Sequence, residues 1–143
     1  MRNTRTIMQL MSWNRVVTVE NFWDAPREGF AFWDERLIAY KCLWDGDADG
    51  YSDWYEIKPI EHKMLPLIEE SWSIWKKWES AFHSGATTKE THPVLPEDRP
   101  RHEELERVLK PVRSFAHAKF ERAKAEFRST SSEPNHLKVR WFS

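Results

Sequence analysis

The apolar residues of this 143-residue chain change their period at Pro59, and that switch limits the chain to a mixed fold of strands and helices. Before Pro59 apolar and polar residues alternate, as on strands with one wet face. Arg15 to Phe22 is rich in β-branched residues, Gly29 to Trp33 and Arg36 to Trp44 alternate, and Trp54 to Lys58 follows. Trp23 to Gly29 is punctuated by Pro26 and Gly29, and Asp34-Glu35 can close a tight hairpin. After Pro59, Met64, Ile68, Trp72, Trp75, Trp78 and Phe82 recur every three or four residues, the stripe of an amphipathic helix. Pro66 is compatible with that helix only in its first turn, which sets the start at His62 to Met64, and Gly85 fits its stop. Asp98 is placed to cap a second helix, with Pro100 in its first turn and Leu105, Val108, Leu109 and Val112 inward until Pro111 kinks or breaks it. The spacing predicts a further helix from Val112 to Phe127, with Phe115, Ala116, Phe120, Ala123 and Phe127 inward, and a last strand from Leu137 to Phe142. The expected fold is therefore α+β: an antiparallel β-meander of four to five strands packed against the amphipathic Trp-rich helix and a kinked helical pair.

Length suits one domain, expected over residues 14–143 behind a flexible extension, 1–13, in which Met8 and Met11 are alternative starts. Nine Trp, eight Phe and three Tyr are more aromatic surface than water tolerates, so much of it belongs to a core or a partner. The single cysteine, Cys42, excludes an internal disulfide and a multi-cysteine zinc site, and reads as a small hydrophobe in a strand. No apolar run reaches membrane-spanning length and Met1 to Ser12 lacks a signal-peptide core, so the cytoplasm is the expected location. The net charge of −1 hides an asymmetry: Glu20 to Glu61 holds eleven acidic and four basic residues, Arg99 to Ser143 eleven basic and six acidic. Because the later cations interleave with Glu103, Glu104, Glu106, Glu121 and Glu126, mutual attraction within the fold is favoured over a nucleic-acid face.

One stretch has the spacing of a specific chemistry. Asp45, Asp47, Asp49, Gly50, Asp53 and Glu56 occupy positions one, three, five, six, nine and twelve of a calcium loop. Alternate carboxylates supply oxygens to a hard cation, and glycine allows the chain to reverse. The incoming segment reads as a strand and Pro59 interrupts an exit helix, so a helix–loop–helix is a poor fit. The D-x-D-x-D-G-x-x-D run resembles the strand–loop–strand calcium loops of integrin-type propeller blades, over nine residues. The alternative is a solvated acidic hairpin turn.

No nucleophile–base pair and no phosphate-cradling glycine loop is legible. His92 with Asp98 and His102 could coordinate a transition metal, although turn capping explains the same residues. Arg27, Arg99 and Arg101 fit either ion pairs between loops or an anion site. Together Trp23, Asp24, Arg27, His92, Arg99 and Arg101 make the candidate interaction surface. The expected function is a binding or adaptor protein acting through protein–protein contact. The alternatives are a calcium-binding module at Asp45–Glu56 and an enzyme with a non-standard site near His92, Asp98 and Arg99.

The segments Val17–Gly29, Tyr51–Asp53, Trp72–Gly85, Thr91–Leu105 and Val139–Trp141 resemble a family of small, uncharacterised bacterial proteins. The similarity runs from Val16 onward and leaves the first dozen residues outside it. It implies a single cytosolic bacterial domain and carries no activity, cofactor or catalytic residue. Its less regular acidic loop weighs against calcium as a shared role.

Overall fold

The structure, a computed structural model, describes residues 12–116, 119–129 and 137–143. Apart from Ser12 and Trp13, the expected N-terminal extension lies outside the described residues. The chain forms two compact units, one a sheet made of residues up to His62 and from Phe115 onward, the other the helical stretch Lys63–Ser114.

The sheet has seven antiparallel strands rather than four or five: β1 (Asn14–Arg15), β2 (Asn21–Phe22), β3 (Pro26–Trp33), β4 (Arg36–Asp45), β5 (Gly50–Pro59), β6 (Glu121–Ser129) and β7 (Leu137–Phe142). Their order is β1-β7-β6-β5-β4-β3-β2. Two corrections account for the difference in number. First, the expected single strand Arg15 to Phe22 is bent. Asn14 and Arg15 pair with β7, after which Val16 bridges Ala31, Val17 and Thr18 both donate to the Phe30 carbonyl at 2.8 and 3.0 Å, and Glu20 donates to that of Glu28 at 2.8 Å. One segment thus bonds both ends of the sheet, which curls into a half-barrel. Second, the expected helix over Val112 to Phe127 gives way to β6. Ala123 and Phe127 lie four apart and fit either period, but residues 121–124 find a partner in β5 and residues 124–129 one in β7, which decides for the strand.

Tyr40, Cys42, Tyr55, Ile57, Ala123, Val139 and Trp141 fill the inner face. Three of these aromatics donate hydrogen bonds to the bent edge and its neighbour. Tyr40 Oη donates to the Thr18 carbonyl (2.8 Å), Tyr55 Oη to that of Pro26 (2.6 Å) and Trp141 Nε1 to that of Phe32 (3.1 Å). Each contributes about 1 kcal/mol net and satisfies a polar group that burial would otherwise penalise. Burial is also the main reason both tyrosine hydroxyls hold their protons well above the usual range. The Thr18 contact demands glycine opposite it: a Cβ on Gly29 would collide with the Thr18 carbonyl oxygen and lie 2.7 Å from Tyr40 Oη.

A 3-10 turn at His62–Met64 leads into α1 (Leu65–His83) of the other unit, with Pro66 in the first turn as expected. The helix ends in a Schellman motif: Gly85 has φ 81°, its N–H donates to Phe82 O at 3.1 Å, and that of Ala86 donates to Ala81 O at 2.8 Å. Ile68, Ile74 and Trp78 are buried, whereas Trp72 and Trp75 are half-buried and Phe82 is exposed, so the apolar stripe is narrower than its sequence spacing. α2 (Arg99–Arg113) buries Leu105 and Leu109 and leaves Val108 exposed. Pro111 sits in its last turn and does not break it; the helix stops at Ser114, whose ψ is 135°. Arg101 joins the two helices through a two-pronged pair with Glu70, both contacts 2.7 Å. No helix among the described residues is long and apolar enough to cross a membrane.

Candidate binding site at the rim of the half-barrel

The acidic stretch builds a turn and a bulge. Asp45 and Gly50 are partners in the β4–β5 ladder, and Asp45 Oδ1 accepts the N–H groups of Asp47 (3.0 Å) and Ala48 (3.3 Å). Asp49 adopts φ 50°, a left-handed conformation that aspartate tolerates better than most residues. The chain from Gly50 onward is strand, so Glu56 stands six residues away, roughly 18–20 Å along it. Asp45, Asp47, Asp49, Asp53 and Glu56 therefore do not converge, and no group of three or more His, Cys, Asp or Glu among the described residues is placed to hold a metal. The spacing of a calcium loop is present without its geometry.

The bulge matters more. Cys42 pairs with Tyr55 and Trp44 with Tyr51, so Ser52, Asp53 and Trp54 all stand opposite Leu43. Ser52 Oγ accepts the Trp54 N–H at 3.1 Å and holds the distortion. Bulges of this kind re-aim side chains at a sheet's rim. Here Ser52 and Asp53 are turned toward a pocket of ≈ 500 Å³ at the end of the half-barrel. Phe22, Pro26, Phe127 and Phe142 form its apolar walls, with Arg27, Tyr55, Asp24, Asp53 and Lys124 as polar lining.

Arg27 is the most constrained of these groups. Its Nε donates to the Trp23 carbonyl at 2.8 Å, its Nη1 to Cys42 Sγ at 3.5 Å, and its guanidinium lies 4.6 Å from the centre of the Tyr51 ring. The Cys42 thiol in turn donates to the Ser52 carbonyl at 3.2 Å. No carboxylate among the described residues forms an ion pair with Arg27.

The sequence-predicted surface residues divide between the units. Trp23, Asp24 and Arg27 gather at the rim; Trp23 is 68% exposed beside Phe22 at 62%. His92, Arg99 and Arg101 belong to the helical unit. The His92 ring meets Trp78 edge-on at 4.8 Å, Asp98 accepts an ion pair from Lys77 at 3.0 Å, and Arg101 is held by Glu70. No hydrogen bond among the described residues joins His92, Asp98 and Arg99. Sequence reasoning missed Tyr55, Phe127, Phe142 and Lys124 as site residues. Alternation in Trp54–Lys58 and Leu137–Phe142 was the available signal, and a helical reading of residues 112–127 masked the strand between them. Compared with known proteins, the chain matches no family, no curated protein and no solved structure.

Proposed function

We propose that the half-barrel is a non-catalytic binding module whose rim pocket takes a small amphipathic ligand with one carboxylate. The observation that carries this is Arg27, a cation fixed by a backbone carbonyl, a thiol and an aromatic face but without an acidic partner among the described residues. Holding a guanidinium in place beforehand lowers the ordering cost of pairing it with an anion. A volume near 500 Å³ and largely aromatic walls suit a small organic molecule. Asp24 and Asp53 at the margin disfavour multiply charged anions. The test is a thermal melt with a panel of aromatic and aliphatic carboxylates against their neutral amides. Carboxylates raise the melting temperature of the wild type and not of Arg27→Gln; equal shifts from the amides refute the proposal.

Exposed Phe22 and Trp23 favour a second reading, a protein partner docked across the same rim. A stoichiometric partner captured from the native host and lost with Trp23→Ala supports it. Both readings sit in the cytosol of a bacterium, as the family resemblance implies. Neither the calcium module nor the enzyme has a comparable observation behind it.

A further inference from the structure

A helix would scatter the charges of Glu121–Ser129, whereas the strand aligns them. Along β6, Ala123, Ala125 and Phe127 face inward, so Arg122, Lys124, Glu126 and Arg128 share the outer face. On β7 the buried Val139 and Trp141 leave Lys138, Arg140 and Phe142 on that face. The ladder then sets rows across the sheet. Arg128 stands directly opposite Lys138, with Arg15 of β1 next in the same row. Arg140 stands opposite Glu126 and pairs with it at 2.8 Å. Lys124 stands between Phe142 and Trp54, its Nζ 5.1 Å from the Trp54 ring centre. The Arg128 and Arg140 guanidiniums both lie against the Trp13 ring, at 4.4 and 4.5 Å.

Like charges directly opposite each other destabilise a sheet. Arg122 stands opposite Glu56 in the ladder, whereas Arg128 and Lys138 face each other and neither forms a carboxylate ion pair among the described residues; the Trp13 ring against Arg128 is the contact that offsets this broken rule in part. Rules broken in this way mark sites selected for something other than stability. Toward the other end of β6, Trp44, Asp45, Trp54 and Arg122 line a groove of ≈ 560 Å³, and Trp54 is 40% exposed.

From this placement we infer that the outer face of β5, β6 and β7 binds single-stranded nucleic acid. Bases stack on Trp54, and phosphates pair with Arg122, Arg128 and Lys138. An exposed ring set beside cations on a sheet is a stacking platform that tolerates any base, because every base has a π face. Charge alone would serve an anionic membrane equally; the exposed Trp54 ring beside Lys124 favours the nucleic acid.

The test is fluorescence anisotropy of the full chain with labelled oligo-dT and oligo-U twelve-mers over a salt series, beside flotation with phosphatidylserine vesicles. Three to four phosphate contacts give a log–log salt slope of about −2 to −3. Arg128→Glu with Lys138→Glu lowers affinity at least about tenfold and flattens the slope by about one or more. Trp54→Ala weakens binding at unchanged slope, by roughly fivefold to a hundredfold for one lost stack. Melting curves of each variant establish that it remains folded. Binding of either oligomer supports the assignment. No binding to either oligomer at low salt, binding indifferent to Trp54, or binding to vesicles without binding to oligomers overturns it.

Discussion

Gly29→Ala tests the closure of the half-barrel at its tightest point. The added methyl would collide with the Thr18 carbonyl oxygen and sit 2.7 Å from Tyr40 Oη. Neither obstacle is a loose side-chain end. The carbonyl accepts the Tyr40 hydroxyl at 2.8 Å, and the Thr18 N–H donates to Phe30 O at 3.0 Å. Overpacking of this kind costs about 1–3 kcal/mol, and leaving a buried hydroxyl unpaired costs about 1–3 kcal/mol. One displacement of Thr18 causes both effects, so the expected loss is roughly 2–4 kcal/mol rather than their full sum. Urea unfolding followed by tryptophan fluorescence measures it. Gly46→Ala, whose methyl meets nothing within 4 Å, is the control and should change stability by less than about 0.5 kcal/mol. Tyr40→Phe removes one of the two obstacles, so Gly29→Ala should cost at least about 0.5 kcal/mol less in that background. Equal, small effects at Gly29 and Gly46 would refute the idea that this contact holds the bent edge.

Three further outcomes follow from particular side chains. Trp78, buried and donating to Thr91 Oγ1 at 2.8 Å, should lose about 3–5 kcal/mol as alanine. Half-buried Trp75 should lose clearly less; equal losses in urea melts would contradict the burial pattern. Burial raises the Tyr40 and Tyr55 hydroxyls above their ordinary value, so the native state keeps protons that the unfolded chain releases above about pH 10. Stability should therefore fall as pH rises past that point, and less steeply in Tyr55→Phe; three tyrosines ionising together near pH 10 in the folded protein would contradict this. Millimolar calcium should leave the melting temperature unchanged, whereas Asp45→Ala should cost about 1 kcal/mol by removing its two backbone contacts. A calcium-specific rise abolished by Asp47→Ala would restore the metal site.

Much of the fold was legible where a local rule is strict. Pro66 and Gly85 bracket α1 because each tolerates few backbone conformations, and Leu137–Phe142 has a period that only a strand satisfies. Legibility failed where two structures share a pattern. Ala123 and Phe127 satisfy both periods, and the partners that decide between them, β5 and β7, are distant in sequence. The same ambiguity hid the part of the rim pocket lined by Lys124, Ala125 and Phe127. Asp24 and Arg27 were visible as polar residues in a turn, while Phe127 became a wall only once its strand was in place. The aspartate spacing misled differently: Asp and Gly serve a tight turn as readily as a cation, and distance along the strand from Gly50 to Glu56 separates the two.

Closure and binding meet in Tyr55. Its ring lines the pocket, and its hydroxyl holds the Pro26 carbonyl at 2.6 Å, next in sequence to Arg27. Arg27 in turn donates to Trp23 and to Cys42 Sγ, so the turn that bears the proposed anion site is anchored to the barrel's interior through the Tyr55 hydroxyl and the Cys42 thiol. Tyr55→Phe keeps the pocket wall and removes only the hydroxyl anchor. It should cost about 1–2 kcal/mol of stability, the range for a buried hydrogen bond lost with one partner left behind. If the turn positions Arg27, a carboxylate ligand should also bind Tyr55→Phe several-fold more weakly, with its preference over the neutral amide retained. Calorimetric titration at a temperature where the variant is fully folded separates the two effects. Lower stability with unchanged affinity would make Tyr55 a packing residue alone and leave Arg27 fixed by its contacts with Trp23, Cys42 and Tyr51.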